Sequence, residues 1–313
     1  MKICIQSQDI IDEYGIEEGY RRISEAGFEA IDWNIDHAWI YSELKASKTL
    51  ENLCIFEKSM DEILKYYEAE LGEIRKYGLS ISQCHSPFPA FVAGRPECFD
   101  YAIDIYKQLI KFAGVVDCPR VIIHGVHPNG TCTDMTPAEC KELNKKLYES
   151  LIPTLKEVGS VTVCLENLPV WDSFNTRTAL FGGHCSNPYL AKEEIDALNE
   201  LAGGTYFGLC LDTGHLHICR TEPFNYLPVI GSRLVALHIH DNDQFNDHHL
   251  MPYTGSIRWD MLLRELKSIG YSGDISFETF AQVKKNRLPK ELLPTFLRTI
   301  YDIGAYFKSQ LEA

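Results

Sequence analysis

Short apolar runs rich in β-branched residues alternate along the chain with longer stretches whose apolar residues recur at helical spacing. Eight of the short runs are predicted strands: Ile3–Ser7, Ala30–Ile35, Ser80–His85, Arg120–Gly125, Thr162–Asn167, Phe207–Asp212, Leu234–His240 and Asp274–Phe280. The helical stretches are clearest at Glu17–Ala26, Ser59–Tyr77, Phe99–Ala113, Pro137–Val158, Lys192–Ala202, Trp259–Ile269 and Pro289–Phe307. This alternation predicts parallel strands joined by right-handed crossovers.

Proline and glycine mark the ends of the predicted helices. Pro137 and Pro289 suit a first turn, where the missing N–H costs nothing. Glycine follows the expected last turn of five helices, at Gly78, Gly114, Gly159, Gly203 and Gly270. An open doubly wound sheet is the alternative, but its phosphate-binding GxGxxG turn is missing from the sequence. We therefore expect an α/β fold, a single (β/α)8 TIM barrel, as one domain over residues 1–313.

Composition and charge narrow the partners. The 44 acidic and 30 basic residues give a net charge of −14, which repels nucleic acids and anionic membranes. A small neutral substrate or a bound cation fits this charge better. The 11 cysteines include no CxxC pair, which predicts free, buried thiols in a reducing, cytoplasmic setting. No run approaches 18 apolar residues, so no membrane-spanning segment is expected.

Polar residues come directly after the apolar part of six consecutive predicted strands. They are His85, His124, Glu166, Asp212, His238 and Glu278. Taken singly, each could be the first solvated residue after a strand. In a barrel, however, these strand ends point into one mouth, where several carboxylates are costly to bury unless they hold a cation. Mixed oxygen and nitrogen ligands suit Mn²⁺, Mg²⁺, Co²⁺ or Zn²⁺, and we expect Mn²⁺ first.

The seventh predicted strand and the loop after it carry further histidines. His238 and His240 are two residues apart and face the same side of a strand, so either could be a metal ligand. Asp247 and His249 have the same spacing in the following loop and could converge on one point. A solvated turn is the alternative interpretation of that loop.

At these strand ends the chain resembles the xylose isomerase-like barrels, a superfamily of sugar isomerases, sugar epimerases and endonuclease IV. The motifs are Leu165-Glu166-Asn167, Leu211-Asp212-Thr213-Gly214-His215, Leu237-His238-Ile239-His240-Asp241 and Phe277-Glu278-Thr279, in order at successive strand ends. By resemblance to the ketose 3-epimerases, the metal ligands are Glu166, Asp212, His238 and Glu278. His215 takes the place of a histidine that contacts the substrate in those enzymes.

Other residues complicate the resemblance to the ketose 3-epimerases. His85, His124, Asp247 and His249 match further metal ligands of endonuclease IV, so all nine of its ligand types have a counterpart here. A second glutamate of the epimerases is replaced by Asp172, and an arginine by Gln244. These replacements leave the particular sugar open.

The resemblance implies a metal-dependent isomerase or epimerase of a sugar or sugar phosphate, with Glu166 and Glu278 moving a proton next to a carbonyl through a metal-stabilised enediolate. The expected substrate-binding residues are His215, His124, His85, His249, Asp247 and Asp172. Trp33, Trp171 and Phe88 are candidate walls for stacking on a sugar, with ordinary packing as the alternative. Other readings are an inosose-type dehydratase, a sugar-conjugate lyase, or an endonuclease IV-like phosphodiesterase. A homo-oligomer is left open.

Overall fold

The computed structural model describes residues 1–35, 50–128, 135–171, 179–279, 283 and 289–313. The strands in these residues are β1 Ile3–Gln6, β2 Ala30–Asn34, β3 Ser80–His85, β4 Arg120–Ile122, β5 Thr162–Glu166, β6 Pro169–Trp171, β7 Ala179–Gly182, β8 Phe207–Asp212, β9 Leu234–His238 and β10 Ile275–Phe277. Eight of them form one parallel sheet in the order β10-β1-β2-β3-β4-β5-β8-β9. A bridge between Ile239 and Phe277 joins its two edges, so the predicted eight-stranded α/β barrel is confirmed.

The helices lie mainly where the periodicity placed them. Within the described residues they are α1 Gln8–Tyr14, α2 Ile16–Ala26, α3 Met60–Tyr66, α4 Glu68–Lys76, α5 Glu97–Val115, α6 Pro137–Val158, α7 Pro188–Ala202, α8 Thr213–Ile218, α9 Pro223–Ile230, α10 Trp259–Ser268 and α11 Leu293–Glu312. Short 3₁₀ turns lie at Ile55–Glu57, Gly231–Arg233 and Lys290–Leu292. Pro137 begins α6 as predicted, after a capping box between Thr136 and Glu139.

Three expectations about the helices were wrong. The single helix expected over Ser59–Tyr77 is two helices that meet at Tyr67. Gly114 lies inside α5, which ends one residue later, whereas the other four glycines do have the positive φ of a helix end. Pro289 precedes a 3₁₀ turn, and the last helix begins at Leu293, with Pro294 rather than Pro289 in its first turn.

The segment after β5 contains structure that the sequence pattern did not indicate. Residues Pro169–Trp171 and Ala179–Gly182 form an antiparallel pair of strands, β6 and β7. This hairpin comes directly after Glu166 and Asn167, at the end of a barrel strand. It therefore lies at the edge of the barrel mouth, where α/β barrels carry their ligands.

The register of the sheet decides which side chains enter the barrel mouth. The pairing of β8 with β9 begins at Leu209 opposite Leu234, shifts by one residue, and ends with Asp212 opposite His238. A one-residue shift moves side chains to the other face of a strand, so this irregularity sets Asp212 and His238 side by side.

Hydrophobic clusters lie on both faces of the sheet. The larger lies between the strands and the helices, and a small one of Ile122, Cys164, Cys210 and Ala236 fills the barrel centre. The ten cysteines in the described part of the chain are free. None of the helices in the described ranges is long and apolar enough to cross a membrane.

Candidate active site

Four side chains at the ends of β5, β8, β9 and β10 meet at the centre of the barrel mouth. Glu166, Asp212 and His238 are buried, and their ligand atoms lie within 4.8 Å of one another. His238 Nδ1 is 3.2 Å from Glu166 Oε1 and 3.7 Å from Glu278 Oε2. The chain thus presents three carboxylates and one imidazole to one small volume, which is the donor set of a divalent cation bound by oxygen and nitrogen.

A pair of histidines adjoins Glu166 on the side of β3 and β4. His124 Nε2 lies 2.8 Å from Glu166 Oε2, and His85 Nε2 lies 3.0 Å from His124 Nε2. The two imidazoles and the carboxylate form a second group whose ligand atoms share a 4.8 Å neighbourhood. Phe88, a suggested stacking residue, is 42% exposed and packs its ring 4.8 Å from that of His124 at this mouth.

A third group lies on the opposite side, in the loop after β9. His249 Nε2 is 3.0 Å from Asp247 Oδ2, and the His240 ring stacks on that of His249 at 3.9 Å. His240 Nε2 is also 3.0 Å from Asp212. His215 bridges the groups, since its Nδ1 is 3.5 Å from Glu166 and its Nε2 is 3.5 Å from Asp247.

One buried carboxylate fixes the loop that carries Asp247 and His249. Asp241 accepts hydrogen bonds from the backbone N–H groups of Asn242, Tyr253, Gly255 and Ile257 and from the Trp259 indole. A side chain at Gly255 would stand 2.4 Å from the Asp241 carboxylate, so only glycine allows this approach. The loop is therefore tied to the strand end through its backbone, and its aspartate and histidine are held over the mouth.

The turn after β8 is built in a similar way. Asn167 and Asp212 exchange two hydrogen bonds, of 2.8 and 2.9 Å, which lock the ends of β5 and β8 together. The Asp212 carboxylate also accepts from the His215 backbone N–H at 2.6 Å and begins α8. The His240 ring covers Gly214 so closely that a Cβ there would lie 1.9 Å from it.

The electrostatics of the cluster are dominated by acid–histidine pairs. Burial alone would raise the pKa of Glu166, but His238 and His124 outweigh it and hold that pKa well below its usual range. Burial raises the pKa of Glu278, although His238 and His249 oppose the shift. Burial lowers the pKa of His124 to about 4, whereas Asp247 and Glu278 outweigh burial at His249 and raise its pKa to about 9.

Asp32 is a residue of this site that the sequence analysis missed. Its Oδ2 lies 3.1 Å from His238 Nε2 and accepts hydrogen bonds from Gln83 and Ser276. The other ring nitrogen of His238 is the one that faces Glu166 and Glu278. A carboxylate behind a ligand histidine fixes its tautomer and raises its basicity. The available signal was an acid inside β2, flanked by the buried Ile31 and Trp33.

The remaining predicted site residues are placed as follows. The structure brings together His85, His124, Glu166, Asp212, His215, His238, Asp247, His249 and Glu278. Asp172 lies outside the described residues, as does the side chain of Trp171. Trp33 is not at the mouth: it is 1% exposed, donates a hydrogen bond to Glu70 and packs on Tyr67, so it is a packing residue.

Comparison with known proteins follows this geometry. The pattern of the xylose isomerase-like TIM barrel family matches residues 20–299. The chain belongs to that family. This match confirms the resemblance that the strand-end motifs indicated.

Individual relatives are distant. An uncharacterized protein of Methanocaldococcus jannaschii is 33% identical over 222 residues, which are 69% of this chain and 70% of the relative. A ketose 3-epimerase of Arthrobacter globiformis is 24% identical, covering 86% of this chain and 79% of its own length. The structure of the 3-keto-D-glucoside 4-epimerase of E. coli superimposes with a TM-score of 0.68 at 15% identity, covering 99% of both chains.

Proposed function

We propose that this xylose isomerase-like barrel is a divalent-metal-dependent isomerase or epimerase of a sugar or sugar phosphate. The observation that carries the proposal is the convergence of Glu166, Asp212 and His238 within 4.8 Å, with Glu278 3.7 Å from the His238 imidazole. The names of the epimerases to which the chain is similar support the substrate class. The buried free cysteines support the expected cytoplasmic setting.

The donor set fits a metal. Glu166 and Asp212 are buried and the Glu278 side chain is 13% exposed, so these three carboxylates repel one another, and the ion pairs that they make with described residues are to imidazoles. Glu166, Asp212, His238 and Glu278 would hold the cation, for which Mn²⁺ is our first choice and Mg²⁺, Co²⁺ and Zn²⁺ the alternatives. When bound, the metal supplies Lewis-acid polarisation of a substrate carbonyl.

The protein side chains then perform the proton transfer. Glu278 and Glu166 approach the mouth from β10 and β5, which are separated by β9 and β8 in the closed sheet, and one of them removes the proton next to the carbonyl while the other returns it. His215 and His249, both paired with Asp247, would bind substrate hydroxyls, and His85 and His124, which contact each other, would do so on the other side. Asp172, which lies outside the described residues, is proposed as a further substrate contact from the sequence alone.

Solvent isotope incorporation tests this proposal. The full chain, loaded with Mn²⁺, Co²⁺ or Mg²⁺, is incubated in D₂O with a panel of ketoses, aldoses and their phosphates. Product should carry deuterium at the rearranged carbon, and Glu278→Gln should lose about 10²–10⁴ in rate. Glu222→Gln, at an exposed ion pair with Arg258, is the matched control and should keep its rate. Turnover of none of these sugars would contradict the proposal.

A second candidate function is favoured by one specific observation. His85 and His124 form a metal-ligand group around Glu166, while His240, Asp247 and His249 form another beside it. That arrangement leaves room for more than one metal, as an endonuclease IV-like phosphodiesterase requires. The net charge of −14 opposes binding to DNA phosphates. Anomalous scattering that shows three metals, together with cleavage of abasic-site DNA and no activity on sugars, would establish this alternative.

A further inference from the structure

A separate group of metal-ligand side chains lies away from the strand-end site. His184 and Cys185 follow the β6–β7 hairpin, and Glu194 comes from the second turn of α7. His184 Nε2 lies 3.0 Å from Glu194 Oε2 and 3.6 Å from Cys185 Sγ. All three ligand atoms lie within 4.8 Å of one another. Neither Cys185 nor Glu194 has a part in the proposed sugar chemistry.

The imidazole of His184 is held by packing in the orientation that makes this cluster. Its ring stacks on Tyr148 at 5.8 Å with an angle of 17° between the planes. The ring also lies against Gly125, where a Cβ would stand 2.3 Å from Nδ1. The side chain is only 5% exposed. A ligand nitrogen is thus aimed at the thiol and the carboxylate before any ion binds.

These spacings match the edges of a tetrahedral zinc site. With Zn–S of about 2.3 Å and Zn–N and Zn–O of about 2.1 Å, a tetrahedron separates sulfur from nitrogen by about 3.6 Å and nitrogen from oxygen by about 3.4 Å. The observed distances are 3.6 and 3.0 Å, so a small movement of Glu194 completes the geometry. Sulfur, imidazole and carboxylate together select zinc over Mg²⁺ or Ca²⁺. We propose that His184, Cys185 and Glu194 bind a zinc ion.

The fourth coordination position faces a cavity. All three side chains line a space of about 850 Å³ between α6 and α7, whose wall also includes His127 and Cys140. A water molecule or a small ligand in the cavity can therefore occupy the open position. The Glu194 carboxylate beside His184 supplies the negative charge that balances a bound cation.

The zinc would fix the hairpin at the edge of the barrel mouth. The Leu168 backbone N–H donates to the His184 carbonyl at 2.9 Å, and Gly183 N–H donates back to the Leu168 carbonyl at 2.6 Å. Leu168 is two residues after Glu166. An ion bridging His184 and Cys185 to α7 would thus tie the segment after β5 to the outer helical layer.

Cobalt spectroscopy tests the zinc site directly. The purified full chain is stripped of metal with a chelator and titrated with Co²⁺. Thiolate bound to Co²⁺ gives a near-ultraviolet charge-transfer band, whereas the oxygen and nitrogen ligands of the strand-end site give none. We expect this band to saturate at one Co²⁺ per chain, in addition to any ion at the strand ends. It should be lost in Cys185→Ser and kept in Cys140→Ser, a buried cysteine of the same cavity.

Two further variants keep the outcome clear. The Glu194 side chain is 28% exposed, so we expect Glu194→Gln to fold. Losing a hydrogen-bond partner of a metal ligand costs roughly 10–100-fold in affinity, and losing Glu194, a proposed ligand itself, should weaken Co²⁺ binding by at least as much. Asp212→Asn should leave the band intact, which separates this site from the sugar site. Absence of the band in the folded wild-type chain, or a band that follows Cys140 instead, would overturn the zinc assignment.

Discussion

The hydrogen bond from His238 to Asp32 gives the sharpest test of how the strand-end site is held. Three donors converge on Asp32 Oδ2: His238 Nε2 at 3.1 Å, Gln83 Nε2 at 2.6 Å and Ser276 Oγ at 3.2 Å. In Asp32→Asn the amide oxygen can still face these donors, but the charge that makes His238 basic is gone. If the amide is flipped, its NH₂ group faces the same donors, and the hydrogen bonds from them to residue 32 are lost. Either way His238 becomes a poorer ligand.

The expected loss of metal affinity can be estimated from other sites in which a ligand histidine loses its hydrogen-bond partner. Removing the partner of a ligand histidine costs about 10–100-fold in metal affinity, or roughly 1.4–2.8 kcal/mol. Competition between the protein and a fluorescent chelator for Mn²⁺ measures it. Asp274→Asn is the matched control, because Asp274 also accepts hydrogen bonds, from Lys2 and Ser82, but precedes β10 at the opposite end of the barrel. Wild-type Mn²⁺ affinity in Asp32→Asn would refute the reasoning.

Three further outcomes follow from the site. Asp212→Asn should lose the strand-end metal, so that elemental analysis finds one ion per chain fewer than in the wild type, while the exposed Asp260→Asn keeps the wild-type content; wild-type metal content in both variants would remove Asp212 from the ligand set. Gly214→Ala should lower stability by about 1–3 kcal/mol in thermal unfolding, since its Cβ meets the His240 ring at 1.9 Å, and an unchanged unfolding midpoint would contradict this contact. Asp241→Asn should speed hydrogen exchange at the Gly255 amide, with a loss of about 1–3 kcal/mol; equal exchange rates would show that another contact holds the loop.

The barrel was predictable because its signal is repeated along the chain. Each parallel strand is buried on both faces and is therefore an apolar run, and each helix between strands shows helical spacing. The break at Tyr67 was not predictable in the same way, since apolar periodicity continues through it: Ile63 and Leu71 are both buried. The β6–β7 hairpin was missed because three or four residues are too few to show an alternation.

The site was partly predictable for a related reason. Residues at strand ends such as Glu166 and Asp212 follow apolar runs, and barrel topology alone brings those ends together. Asp32 escaped notice because it lies within a strand, and the one-residue shift of β8 against β9 depends on packing that no local pattern encodes. The His184–Cys185–Glu194 cluster joins a loop to the side of a helix, so its members share no spacing rule.

Because Asp241 holds the loop after β9 by its backbone, most side chains of that loop can be changed without detaching the loop from the barrel. The bonds from Tyr253, Gly255 and Ile257 use main-chain N–H groups, so they do not depend on which side chains stand at most loop positions. Gln244, which replaces the arginine of related enzymes, belongs to this segment. Libraries that vary the loop at Gln244 and Phe245 while retaining Asp241 and Gly255 could therefore search for new substrates without rebuilding the barrel, and Gln244 itself, at a φ of 73°, would favour asparagine or glycine.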